Sequence, residues 1–152
     1  MKKIIRKILK EDIREEFLNK IIKLMKNDFP LFKNLREYGL YNQLSEDDLK
    51  YIFSGIFGEP ITIMGRTLMD KNRKVLYYED YDGVWEKREN DEYGRRTYKE
   101  SSNGDWYKRE YDKYGNISYE EYSDGYWYKR EYDENRNLIY YENSYGDIRD
   151  NR

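Results

Sequence analysis

At 152 residues, with 39% charged side chains and a formal net charge of −2, the chain has the length of one domain, or of one small domain with an appendage. No apolar run approaches the roughly 18 to 20 residues needed to cross a bilayer, so no membrane partner is expected. The sequence has no Cys and no His, which excludes disulfides, thiolate or imidazole metal sites, thiol nucleophiles and the usual general base near neutral pH. Carboxylate pairs, Tyr, Lys and magnesium-type oxygen sites remain, and the expectation is a non-enzymatic protein without a cofactor.

The opening Met-Lys-Lys-Ile-Ile-Arg-Lys-Ile-Leu is interrupted by charge and followed by no small-residue cleavage site, which predicts a cytoplasmic protein rather than a secreted one. Between Ile4 and Met25, Ile5, Ile8, Leu9, Ile13, Phe17, Ile21 and Leu24 recur at three- and four-residue steps, the pattern of one apolar helix face. Asp28 and Pro30 end that helix. A second helix is predicted after Ser45, with Asp48 completing a capping box and Leu49, Ile52 and Phe53 turned inward, up to Gly58 and Pro60. Residues 1–36 hold eleven Lys/Arg against five Asp/Glu, and the remainder is net acidic. A basic amphipathic helix suits a membrane surface or RNA, but an open sheet needs a cover, and covering the following sheet is the expected role.

From about residue 61 the chain repeats. Gly83, Gly104, Gly125 and Gly146 are 21 residues apart, and so are Trp85, Trp106 and Trp127. The same register aligns Lys87-Arg88-Glu89, Lys108-Arg109-Glu110 and Lys129-Arg130-Glu131, then Asp91, Asp112 and Asp133, then Tyr98, Tyr119 and Tyr140. Met64, Asp70 and Tyr77 take these slots in a degenerate leading copy. The fold class predicted is α+β: a helical segment over residues 1–60, then an antiparallel β-meander of 21-residue hairpin repeats over 61–150, forming one cooperative unit.

Asn103-Gly104 and Asp124-Gly125 read as two-residue type I′ turns, whereas Asp91-Glu92-Tyr93-Gly94 and Asp112-Lys113-Tyr114-Gly115 read as three-residue loops with a left-handed Gly. This predicts Trp106 opposite Ser101, Lys108 opposite Glu120 and Arg109 opposite Tyr119. One face then carries Trp, Lys and Glu. The other carries Tyr107, Arg109, Tyr111, Ile117, Tyr119 and Glu121, and is expected to receive the helices.

Tyr111-Asp112-Lys-Tyr-Gly115, with Trp127-Tyr-Lys-Arg-Glu-Tyr132-Asp133 one copy later, resembles the Tyr-Asp-x-x-Gly core of YD/RHS-type repeats. The Gly-x-Trp opening is similar to MORN-like repeats. Arg136 departs from the pattern by standing in a turn-Gly slot. The resemblance implies a shell or binding module with no catalytic residue. The lysine-rich opening and Tyr-Asp-Gly repeats also resemble small phage and mobile-element accessory proteins, which implies a host protein or nucleoprotein as partner and an anti-defence, anti-CRISPR-like role.

Trp, Tyr and Arg dominate interface energetics, so Trp85, Lys87, Trp106, Lys108, Trp127 and Lys129 are the candidate partner-binding residues. Single-stranded nucleic acid is the alternative partner, since aromatic rows stack bases and cations neutralise phosphates, although Glu rows between the cations oppose it. Unpaired sheet edges allow a structural, self-associating role or a homodimer. Glu110 with Glu120, or Asp80 with Asp82, are candidate carboxylate pairs; their recurrence with the repeat argues for turn and ion-pair roles instead.

Overall fold

The computed structural model describes the backbone of residues 2–152 and the side chains of residue 11 and residues 13–152. Three α-helices, α1 (Lys2–Met25), α2 (Leu31–Glu37) and α3 (Glu46–Phe57), and a 3-10 turn at Tyr41–Gln43 precede the strands. Ten strands follow: β1 (Thr62–Met64), β2 (Thr67–Met69), β3 (Val75–Glu79), β4 (Trp85–Asn90), β5 (Arg96–Ser101), β6 (Trp106–Tyr111), β7 (Ile117–Tyr122), β8 (Trp127–Tyr132), β9 (Leu138–Asn143) and β10 (Ile148–Asp150). They form an antiparallel meander in chain order, as the α+β reading requires. No helix among the described residues is long and apolar enough to cross a membrane. The last helix ends at Phe57 and the first strand begins at Thr62, while the chain divides into compact units at residues 1–85 and 86–152.

In residues 1–85 the core is aliphatic and aromatic. Leu18, Ile21, Met25, Leu31, Phe32, Leu35, Leu49, Ile52, Phe53, Leu68 and Tyr77 are buried together, each contributing roughly 1.5 to 3 kcal/mol of apolar burial. The buried seam of α1 differs from the expected one: Leu18, Ile21 and Met25 face inward, whereas Ile13, Phe17 and Leu24 are exposed. Ile5, Ile8 and Leu9 lie outside the described side chains. α1 approaches α3 closely at Gly55, where a Cβ would stand 2.5 Å from Ile22 Cδ1. The capping box of α3 is present, with Asp48 N donating to Ser45 Oγ at 3.2 Å and Ser45 N to Asp48 Oδ2 at 2.8 Å.

The helix α2 was not anticipated, because its free amides are satisfied far along the chain. Phe32 N and Lys33 N donate to the two carboxylate oxygens of Glu79, each at 2.8 Å, and Leu31 N donates to the Tyr77 hydroxyl at 3.0 Å. The face of β3 that receives the helices therefore carries Tyr77 and Glu79, and Trp85 packs there against Phe29 with ring centroids 5.0 Å apart. This corrects the expectation that a Tyr/Arg face receives the helices.

From β2–β3 onward the hairpin turns are of one kind; the β1–β2 turn, with Met64 opposite Thr67, has a two-residue loop. At Asp112 the Gly115 amide donates to the Asp112 carbonyl at 3.0 Å, and Asp112 N to the Asn116 carbonyl at 2.9 Å; Ser101 with Gly104 and Asp105, and Tyr122 with Gly125 and Tyr126, repeat that pattern. The type I′ reading of Asn103-Gly104 and Asp124-Gly125 is corrected, because only the Gly of each pair has positive φ. These are three-residue loops ending in a left-handed residue. Arg73 and Arg136 occupy that slot with φ of 62° and 65°, so the hairpin between β8 and β9 forms without a Gly. Asp70, Asp91, Asp112 and Asp133 each accept amide hydrogens from residues two and four positions on, which fixes the loop.

The longer loops, with a bulge beyond each Asp turn, shift the register by one residue. Trp106 lies opposite Glu100, Lys108 opposite Glu121 and Arg109 opposite Glu120. A one-residue slip exchanges faces, so Tyr119 and Glu121 join the Trp/Lys/Glu face and Glu120 moves to the Tyr/Arg face.

Candidate binding face

The two faces of residues 86–152 are built differently. On the Tyr/Arg face Glu120 is only 2% exposed. It takes a hydrogen bond from Arg109 Nε at 2.5 Å and one from the Tyr128 hydroxyl. Arg109 lies 4.2 Å from the Tyr107 ring centroid and Arg130 4.1 Å from that of Tyr128. Burial, and then the Glu120 carboxylate, raise the Tyr128 phenol pKa well above its ordinary value. These partners fill one another's valences, and the arrangement serves stability.

Glu110 and Glu120 do not form a carboxylate pair, since Glu110 stands opposite Tyr119 and Glu120 opposite Arg109, on different faces. Asp80 and Asp82 shape a turn: Asp80 Oδ1 accepts from the amides of Asp82 and Val84, each at 2.9 Å. Among the described residues no group of three or more Asp or Glu is placed to hold a metal ion.

The Trp/Lys/Glu face brings together most of the expected partner-binding residues. Alternation along β6 and β8 places Trp106, Lys108 and Glu110, then Trp127, Lys129 and Glu131, on this side. Trp106 and Trp127 are half-buried, and Lys108 and Lys129 are exposed. The Lys108 ammonium lies 5.2 Å from the Trp106 ring centroid. Lys87 reaches Glu89 at 3.8 Å. Trp85 does not share this setting, because it is packed in the core of residues 1–85 with Phe29 and Tyr77.

Register also brings onto this face a set that the sequence reading missed. Tyr98 and Glu100, Tyr119 and Glu121, and Tyr140 and Glu142 point the same way as the Trp row, and all six are half-buried. The Tyr98 hydroxyl donates to Glu100 at 3.2 Å and that of Tyr140 to Glu142 at 2.9 Å. Burial, then the neighbouring Glu100, push the Tyr98 phenol up to about 12. Tyr119 is raised by burial and by Glu121, and Tyr140 chiefly by its bond to Glu142. The Tyr98 and Tyr140 phenols thus each donate to a carboxylate on the same strand. Tyr119 also stacks on Trp127, at 6.4 Å and 28°. The signal for this set was a Tyr-x-Glu recurring every 21 residues; a one-residue slip in the assumed register hid it.

Each strand Lys on the face has an acid opposite: Lys87 faces Glu100, Lys108 faces Glu121, and Lys129 faces Glu142. The surface therefore offers aromatic ring faces, carboxylates and ammonium groups that stand opposite carboxylates across the strands. No protein-family model and no curated protein matches the sequence.

Proposed function

We propose that the protein is a non-enzymatic binding module whose Trp/Lys/Glu face, over residues 86–152, recognises another protein. The observation that carries this reading is the Lys–Glu register. A phosphate-binding surface needs uncompensated cations, whereas here each Lys of the face stands opposite a carboxylate. What remains after that compensation is a row of half-buried aromatic rings with polar groups at fixed spacing, the composition of a protein interface hot spot. The binding residues are Trp106, Lys108, Trp127 and Lys129, with Lys87 and the Tyr-x-Glu pairs alongside them. The likeness of the repeats to phage and mobile-element accessory proteins supports a host protein or nucleoprotein as the target, inhibited or adapted by this chain.

The test is capture of partners from a bacterial lysate with and without nuclease, using the native chain and the Trp106→Ala/Trp127→Ala double variant. A defined protein retained by the native chain in both samples, and lost with the double variant while its circular dichroism is unchanged, is the expected result. Capture that disappears on nuclease treatment and falls steeply with salt would replace this reading with single-stranded nucleic-acid binding.

A further inference from the structure

The leading copy of the repeat already holds a piece of polypeptide. Tyr77 and Glu79 stand 21 residues before Tyr98 and Glu100, and Arg66 stands 21 before Lys87. The Tyr77 hydroxyl donates to Glu79 Oε2 at 2.8 Å, just as Tyr98 does to Glu100 and Tyr140 to Glu142. The two oxygens of Glu79 accept the amides of Phe32 and Lys33, and the Tyr77 oxygen accepts that of Leu31. Arg66, in the turn just before β2, supports Glu79 at 3.4 Å. Phe29, just ahead of Pro30, lies on Trp85 and Tyr77 at 5.0 and 5.5 Å.

The aromatic floor of this receptor recurs. Tyr77 and Trp85 are 6.3 Å apart at 25°, and Tyr119 and Trp127 are 6.4 Å apart at 28°. What differs is cover: Glu79 is fully buried beneath the start of α2, whereas Glu100, Glu121 and Glu142 are half-buried on a surface. The unsatisfied amides at the start of a helical turn carry partial positive charge, and a carboxylate held by a phenol complements it.

Resting on the protein-binding reading above, we propose that Tyr98–Glu100, Tyr119–Glu121 and Tyr140–Glu142 are successive receptor positions for a partner protein's segment. That segment presents free backbone N–H groups at the start of a helical turn, behind an aromatic–proline pair. It is the chemistry that Phe29-Pro30-Leu31-Phe32-Lys33 presents to Tyr77–Glu79. The carboxylates accept the amides, the phenols orient the carboxylates, and Trp106 and Trp127 receive the aromatic side chain.

The probe is a synthetic peptide of residues 27–40 with blocked ends, titrated into the isotope-labelled full chain and followed by NMR. Chemical-shift changes are expected at the Tyr98, Tyr119 and Tyr140 positions. They should weaken by roughly tenfold or more when the peptide is N-methylated at the amides matching Phe32 and Lys33, and equally in the E100Q/E121Q/E142Q variant. The variant keeps side-chain shape, and its spectrum reports directly whether it is folded. Absence of binding, shifts confined to residues 1–85, or equal affinity in either control would overturn the proposal. Peptide failure alongside Trp-dependent capture of a protein overturns this inference and leaves the binding face standing; capture independent of Trp106 and Trp127 overturns the face itself.

Discussion

Residues 1–85 and residues 86–152 use one repeat to solve the stability problem in two ways. The first unit buries Leu, Ile, Met and Phe between helices and strands, and its Tyr and Glu slots become interior hydrogen-bonding groups. The second unit has a sparse aliphatic supply; its buried side chains are Tyr128, Glu120 and Asn143, and ring–guanidinium and carboxylate contacts hold its strands. The contrast shows that the Tyr-x-Glu motif is not committed to one role: its surroundings decide whether it becomes a core anchor or a surface group.

The largest expected effect tests the core. Phe53→Ala should cost about 3 to 5 kcal/mol, whereas Ile117→Ala, at a half-buried site in the second unit, should cost no more than about 1.5 kcal/mol. Urea denaturation of both variants measures the difference, and equal costs would break the contrast.

Next comes the motif itself. Glu79→Gln should destabilise by about 2 to 3 kcal/mol, because one carboxylate serves Phe32 N, Lys33 N and the Tyr77 hydroxyl in a buried site. Glu142→Gln, on the surface, should change stability by less than about 1 kcal/mol. Thermal melts that shift equally for both would show that burial does not separate the roles.

The turns give a sharper, smaller effect of opposite sign at equivalent positions. Gly115→Ala should cost about 1 kcal/mol, since φ is +87° there, while Arg136→Gly should stabilise by about as much by relieving a non-Gly residue at φ 65°. Chemical denaturation midpoints moving the same way in both variants would reject the common turn geometry.

The pH response has an acid limb and an alkaline limb. Arg14 donates to Asp48, and with the Ser45 bonds outweighing burial this lowers the carboxyl from 3.8 to about 2. Its pKa is depressed on folding, so its contribution, of order 1 kcal/mol, is present above about pH 4 and lost as pH falls toward 2. Tyr98 behaves oppositely. Its pKa is raised to about 12, so its contribution holds below about pH 10 and is lost as pH rises from 10 to 12. Stability measured across both windows in native chain, Asp48→Asn and Tyr98→Phe checks the sign: each variant should reduce only its own limb.

Periodicity and turn chemistry made the sheet legible without coordinates. The 21-residue spacing of Gly and Trp located the copies, Asp70 marked the degenerate first one, and Ser45 with Asp48 located the start of α3. These signals are local, because a turn or a cap is closed by residues two to four positions apart. Loop length was harder to read. Asn103-Gly104 has the residues of a type I′ turn, but only Gly104 adopts positive φ; its extra loop residue shifts β5 against β6, and the bulge beside the Asp112 turn exchanges the faces of Tyr119 and Glu120.

The sequence by itself thus determined the α+β class, the repeat, the turn residues and the Trp/Lys row. Tertiary structure alone decided which stripe of α1 is buried, that α2 exists, and that Trp85 joins the core while Trp106 and Trp127 keep part of their surface. The physical reason is distance along the chain. α1 approaches α3 closely at Gly55, and Glu79 satisfies amides 46 and 47 residues before it, contacts whose formation no local pattern encodes.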